Sequence, residues 1–336
     1  MARRRSGPSR PRFSVVMPAH DCVATLDEAI GSVLEQAFED LELLVIENGS
    51  GDDTLESARR WSARDPRVYV TTLEVGDVAL ARNAGIAEAR GDYVTFLDAD
   101  DVYLPGYLKF LDAAVREYPG RTMYAVGGVS VAPDGARSPL SPSMPKDRPR
   151  DLTLSDVAWM TLFPNQVAYP ADELRRLGGY RRYYIEDYDL WLHTLAVGGT
   201  GIYLPGEYSE HRIYLSSRSH DPVFYQHSVD SALASLRDAL TYDIADADRA
   251  ALERRAALLE RRSARIAARA DLEERLRRGQ YGRARRDYLH AAAAYRSRPR
   301  FVAGLAVITV SPRLFARLML RREGASSGED APANPA

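Results

Sequence analysis

The sequence predicts an α/β fold built on a mostly parallel sheet, and three observations lead there. Short apolar, β-branched runs alternate with helical stretches of about ten to fifteen residues, which is the pattern of βαβ units. One of these runs, Leu43 to Ile46, is apolar without alternation, as a strand covered on both faces must be. Three of the runs stop in polar turns, and ligands of open α/β sheets bind beyond the carboxyl ends of the strands.

The elements follow in order. Phe13 to Met17 reads as a first strand, closed by Pro18-Ala19-His20-Asp21. Thr25, three residues before Glu28, has the spacing of a capping box, and Leu26, Ala29, Ile30, Val33 and Leu34 fall on one face of the helix that follows. The strand Leu43 to Ile46 ends in Glu47-Asn48-Gly49-Ser50, where glycines allow a tight turn. Asp52 or Asp53 then caps a helix carrying Leu55, Ala58 and Trp61. Val68 to Thr72 is a third strand and Val78 to Ala89 a helix, terminated by Gly91.

Next comes Tyr93 to Tyr103, an apolar run that breaks off at Asp98, Asp100 and Asp101. Like charges at a strand end raise one another's pKa, so such a cluster wants a cation, and an oxygen-only ligand set suits Mg²⁺ or Mn²⁺. The competing reading is a polar loop in which one acid caps a helix and the others are solvated. Pro105 fits the first residue of the following helix, with Asp101 facing the loop before it. Thr122 to Val131 reads as one strand, and Pro133 to Pro149 as an aperiodic surface loop. After the apolar stretch Leu152 to Phe163 and a short helix from Ala171 to Leu177, Gly178-Gly179-Tyr180 leads to Glu186-Asp187 at the start of an amphipathic helix. Acids there either favour the helix dipole or include a general base.

The chain has 336 residues, 45% of them hydrophobic and 27% charged, enough for one large core and an appendage. Its formal net charge of -2 gives no reason to expect nucleic acid. A lone cysteine, Cys22, excludes an internal disulfide framework and a thiolate zinc cluster, and fits a cytoplasmic protein. No G-x-G-x-x-G follows the first strand and no P-loop occurs, so a glycine cradle for phosphate is not expected.

The expected domain plan is a disordered basic arm over 1–12, a catalytic domain over 13–225, a helical hairpin over 226–299, an amphipathic basic segment over 300–322 and a disordered tail over 323–336. The hairpin offers a surface for oligomerisation. The stretch from Phe301 to Leu320 is too charged to span a bilayer but suits peripheral contact with an anionic membrane face.

Six stretches together resemble the family 2 glycosyltransferases, inverting enzymes of the GT-A fold that use nucleotide-diphosphate sugars. They are Val15 to Asp21, Val45 to Ser50, Ala81 to Ile86, Phe96 to Asp101, Gly178 to Tyr180 and Glu186 to Trp191, and the resemblance runs from about Phe13 to about Ser219. The fold it implies is GT-A-like, a Rossmann-like sheet flanked by helices, here with the helical appendage. It implies that Pro18, Ala19, Asp21, Glu47, Asn48, Gly49, Arg82, Asn83, Asp98 and Arg212 bind the nucleotide sugar. It makes Asp100 the direct ligand of Mn²⁺ or Mg²⁺ with Asp98 beside it, and Asp187, of the Glu186-Asp187 pair, the base. The family turn usually reads Asp-Asp-Gly-Ser, so Asn48 is a departure that bears on the identity of the base, with a UDP-sugar favoured. Many relatives have a histidine where this chain has Tyr214, and His211 and His220 lie nearby, which leaves a third metal ligand open. The acceptor implied is a hydroxyl of a glycan or a lipid-linked sugar. Two other classes fit the residues as well: a phosphohydrolase with Asp98 as nucleophile and Asp100 as acid, drawing on Lys109 or Lys146, and a non-catalytic sugar-nucleotide-binding or scaffold protein.

Overall fold

The computed structural model describes residues 10–141, 143–159, 167–214 and 222–284, with the single positions 286, 311 and 313. Most of the basic arm, the segment 300–322 and the tail expected from the sequence lie outside these residues, as does His220. The chain divides into two compact units, Met1–Ala257 and Leu258–Ala336.

The first unit is built on an eight-stranded mixed sheet. Its parallel half comprises β1 (Phe13–Ala19), β2 (Leu41–Asn48), β3 (Val68–Leu73) and β4 (Tyr93–Phe96), in the order β3-β2-β1-β4. Every residue of β2 is buried, as the unalternating apolar run requires. Helices α1 (Val23–Leu34), α2 (Thr54–Arg64) and α3 (Val78–Glu88) connect these strands. The other half is β10 (Val167–Pro170), antiparallel to both its neighbours, then β6 (Met123–Val126), β11 (Gly201–Leu204) and β9 (Arg150–Leu152). The antiparallel β10 makes the sheet mixed, where sequence alternation alone suggests a more uniformly parallel one.

A second, four-stranded sheet lies in the order β5 (Val102–Tyr103), β12 (Ser209–Arg212), β7 (Val129–Val131) and β8 (Arg137–Pro139). The expected single strand from Thr122 to Val131 is therefore two, serving different sheets. The break falls at Gly127 and Gly128, where a Cβ would lie 2.6 Å from the Gly206 carbonyl oxygen or 2.3 Å from Ser209 Oγ. The stretch Pro133 to Pro149 is not wholly irregular either, since β8 pairs antiparallel with β7.

Three local expectations are corrected. Thr25 does not cap α1, which begins at Val23 and whose first amides are satisfied from another element. Val23 N–H donates to Asp52 Oδ2 at 3.1 Å, and Cys22 N–H to Thr54 Oγ1 at 2.9 Å. Pro105 precedes the helix α4 (Tyr107–Glu117), whose amino-terminal cap is Gly106 at φ +90°. Gly91 does not end α3 by a left-handed turn. It lets the chain approach β1, since a Cβ there would lie 2.5 Å from the Ser14 nitrogen.

The remaining helices of this unit are α5 (Leu154–Trp159), α6 (Ala171–Arg176), α7 (Glu186–Ala196) and α8 (Pro222–Ala239). Arg181, ahead of α7, forks onto the buried Asp189 at 2.7 and 2.8 Å and reaches Asp238 of α8 at 2.6 Å, which ties the two helices together. Residues 10–12 are held as well, Arg12 by Asp112 at 2.8 Å. Helix α9 (Asp246–Arg277) crosses the division between units. In the second unit it carries ion pairs one turn apart, Arg269 with Glu273 and Arg275 with Asp271, and Gly279 at φ +70° follows it. Among the described residues no helix is long and apolar enough to cross a membrane.

Candidate active site

The order β2-β1-β4 sets the carboxyl ends of three adjacent parallel strands side by side, and with them the three polar turns. The register pairs Ala19 with Glu47 and Val16 with Phe96, so the turns begin at similar height.

The first two turns are bound to one another. Asp21, at φ +47°, accepts from Gly51 N–H at 2.7 Å, and its own N–H donates to Ser50 Oγ at 3.1 Å. Glu47 is buried and folds its own turn, its Oε1 accepting from Ser50 N–H at 2.6 Å. Asn48 is buried too. Its Oδ1 accepts from Gly76 N–H at 3.1 Å, and its carbonyl accepts from His20 Nδ1 at 3.0 Å. Gly49, at φ +75°, completes the turn. Pro18 and Ala19 close β1 beside it, Ala19 fully covered. These residues shape the strand-end surface mainly through their own mutual bonds.

The three acids after β4 have different surroundings. Asp98 is engaged by Arg82, whose Nη2 donates to Oδ1 at 2.7 Å. Asp101, expected to face the loop, is 1% exposed. It accepts from His211 Nδ1 at 3.1 Å and from the backbone N–H of Arg212 at 2.9 Å. Burial pulls His211 down, but the hydrogen bond and charge of Asp101, with Asp98 and Asp100, lift it to about 9. No side chain pairs with Asp100 among the described residues, and its pKa is pushed up to about 7 by burial and by the charges of Asp101 and Asp98. A half-buried carboxylate crowded by two acids fits a hard cation. Among the described residues, however, no three His, Cys, Asp or Glu side chains converge as a metal cluster. The fit is to a cation that takes one or two carboxylates and completes its shell elsewhere, as Mg²⁺ commonly does with phosphates.

The second acidic pair reaches the same place from the far half of the sequence. Glu186 and Asp187 open α7, and Arg82 donates to Glu186 as well as to Asp98. Burial and the neighbouring Glu186 push Asp187 up to about 7, and Arg82 offsets part of that rise. The Asn83 side-chain amide holds the backbone of Tyr180. Arg212 forks onto Glu28 of α1, both bonds 2.6 Å, and Tyr214 lies within its field and that of Asp100. His211 and Asp101 thus fasten β12 under the acidic turn, a pairing that no local sequence signal announces because its partners lie 110 residues apart.

Residues 14–148 match the family profile described as Glycosyl transferase family 2. An "Uncharacterized glycosyltransferase" of Haemophilus influenzae is 39% identical over 93 residues, which are 27% of this chain and 37% of that protein's length. The chain thus spans well under two thirds of that relative. Among solved structures, Staphylococcus aureus TarS 1–349 in complex with UDP-GlcNAc superposes with a TM-score of 0.62 at 17% identity, over 93% of this chain and 91% of that one. The mannosyltransferase PcManGT of Pyrobaculum calidifontis, in complex with GDP-Man and Mn²⁺, gives 0.57 at 19% identity, over 92% and 87%. Likeness at this identity concerns the fold, and the fold is GT-A.

Proposed function

We propose, for a chain whose residues 14–148 belong to glycosyl transferase family 2, that it transfers a sugar with inversion from a nucleotide-diphosphate sugar to a hydroxyl acceptor on a glycan or lipid-linked sugar. The observation that carries this reading is Arg82, which joins Glu186 to Asp98 and so gathers the carboxylates after β4 and those opening α7 around one cleft. The two groups then take separate work. Asp187 accepts the proton of the acceptor hydroxyl as its oxygen attacks the anomeric carbon. The bond from that carbon to the diphosphate oxygen breaks on the opposite face, and the nucleoside diphosphate leaves with the electron pair. Attack opposite the leaving group inverts the anomeric centre. A divalent cation, Mn²⁺ or Mg²⁺, held by Asp100 with Asp98 beside it, supplies charge neutralisation for the departing diphosphate.

The turns after β1 and β2 are the proposed seat of the nucleoside, with Pro18, Ala19, Asp21, Glu47, Asn48 and Gly49 lining it. Arg212 is a proposed phosphate contact, which requires it to exchange Glu28 for the donor. The nucleotide sugars held by the structural neighbours, UDP-GlcNAc in one and GDP-Man in the other, are donors to try, with UDP-sugars first. The phosphohydrolase alternative is less well supported, since Lys109 and Lys146 are both exposed. The cytoplasm, with peripheral membrane contact through 301–322, is the proposed location.

The test is a panel of nucleotide sugars with Mn²⁺ or Mg²⁺, read as nucleoside diphosphate release with and without glycan acceptors. Asp100→Ala is expected to remove the metal dependence. A wild-type protein that binds no nucleotide with any divalent cation ends the proposal.

A further inference from the structure

Arg82 and Asn83 read in sequence as donor contacts, yet both side chains are committed to partners within the chain. The Asn83 amide makes two bonds to a single residue: Nδ2 donates to the Tyr180 carbonyl at 2.7 Å, and Oδ1 accepts from the Tyr180 N–H at 2.8 Å. Gly179, at φ +69°, is shaped to that amide, because a Cβ there would lie 2.4 Å from Asn83 Oδ1. Two short stretches 97 residues apart therefore form one interlocking joint, and α7 begins at Glu186, a few residues beyond it.

Arg82 closes the joint from the other side. Its guanidinium is 2% exposed and donates to both Glu186 and Asp98, and it lies 5.3 Å from the centre of the Tyr180 ring. That ring packs edge-on against Phe96 of β4, with centroids 5.1 Å apart. A guanidinium committed to two carboxylates and covered by a tyrosine has no open face for an incoming phosphate. Its buried Nε makes no hydrogen bond, so the fork is directed wholly by the two acids it joins.

We propose that Arg82 and Asn83 are positioning residues for the acceptor-side base, and not donor contacts. Asn83 fixes the turn from which α7 starts, Arg82 fixes Glu186, and together they set where Asp187 stands relative to the strand-end acids. The inference rests on the proposed base role of Asp187. A misplacement of about 1 Å at a reacting group can cost on the order of a hundredfold in rate, so such a joint bears on turnover even without touching substrate.

The experiment uses the full chain with Asn83→Ala and Arg82→Lys. Lysine keeps the charge but cannot fork between two carboxylates. The probe nucleotide is the nucleoside diphosphate that most raises the wild-type melting temperature with Mn²⁺. Three quantities are read: its Kd by calorimetry, kcat for donor turnover at saturating donor, and backbone hydrogen exchange over residues 178–190. The expected result is a Kd within about twofold of wild type, kcat lower by about tenfold or more, and faster exchange over that stretch. A Kd weakened about tenfold with kcat intact would make the two residues donor contacts and overturn the proposal. Wild-type values in all three would overturn it as well. If Asn83→Ala fails to fold, Asn83→Asp, which keeps the acceptor and the volume but loses the donor to Tyr180, takes its place. If the wild-type protein turns over no donor, the functional reading falls, and the exchange measurement alone still decides whether the joint holds α7.

Discussion

Asp187 stands half-buried beside a second acid, and both facts favour its neutral form, which places its pKa at about 7. A carboxyl acts as a base only when ionised. With Asp187 as the proposed base, the rate of the proposed transfer is expected to rise with pH through about 7 and level off above it, whereas an ordinary aspartate would be fully ionised from about pH 5. The same shift acts on stability with the opposite sign. The native state holds this proton at pH values where the unfolded chain has released it, so its contribution to stability falls as pH climbs from about 4 to 7. Asp187→Asn should lower turnover by about 10² to 10⁴ while leaving nucleotide affinity in place, and should remove the rate's inflection near pH 7 from whatever activity remains. A pH–rate profile of wild type and variant checks both. Asp101 is the residue that sequence reading undervalued. A fully buried acid between Asp100 and a short strand has to find partners, but nothing near it in the chain reveals that they are His211 and the Arg212 amide.

At the scale of elements, two contacts hold the strand-end turns where they are. The first is the cap of α1. Its amino end borrows Asp52 and Thr54 from the turn after β2, so one turn serves the helix and the cleft together. Asp52→Ala is expected to cost about 1 kcal/mol, in the range for a lost amino-terminal cap, measured as a shift in urea midpoint without a change in slope. The second is the seat of α3 on β1. A Cβ at Gly85 would lie 2.3 Å from Val16 Cγ1, so α3 can carry Arg82 and Asn83 to their partners only while that position is bare. Gly85→Ala should destabilise by about 1 to 3 kcal/mol through overpacking, and a melting curve will show it. A variant as stable as wild type would mean that the helix shifts freely, and Arg82 would then be poorly fixed. The periodic parts of these elements were legible in the sequence: the apolar faces of α1 and α2, the helix α3, the unalternating β2, and the polar strand ends. The capping of α1 was not. Thr25 and Glu28 carry a capping-box spacing, but the amides are taken by a turn some thirty residues away and Glu28 is drawn to Arg212. The strand ending at Val131 was misread for a related reason, since Gly127 and Gly128 mark close approach to Gly206 and Ser209, which only the folded chain supplies.

For the molecule as a whole, the cleft is assembled from distant parts of the chain, and this sets how it should respond to its ligands. It draws on residues near 20, 48, 98, 186 and 212, the last bonded to Asp101 and Glu28 and the residue near 186 joined to Asp98 through Arg82. The acids in it repel, and among the described residues no trio of ligands converges into a ready cage. Mn²⁺ alone therefore has little to hold it, and a nucleoside diphosphate alone brings further negative charge to Asp100 and Asp98. On the proposed function each ligand would supply what the other lacks, the cation neutralising the acids and the diphosphate offering the cation oxygen ligands. The two are expected to bind with positive coupling, which must be reciprocal. At about 100 times its Kd a ligand adds about 2.7 kcal/mol to the folded state. In a chain of this size each kilocalorie moves the melting temperature by roughly 2 to 4 °C. Scanning calorimetry with Mn²⁺, with nucleoside diphosphate and with both should give small shifts for either ligand alone and a joint shift larger than their sum. Asp100→Ala should bring the joint shift down to that sum. A large shift with Mn²⁺ alone would point instead to a complete protein cage, and additive shifts would separate the cation from the donor altogether.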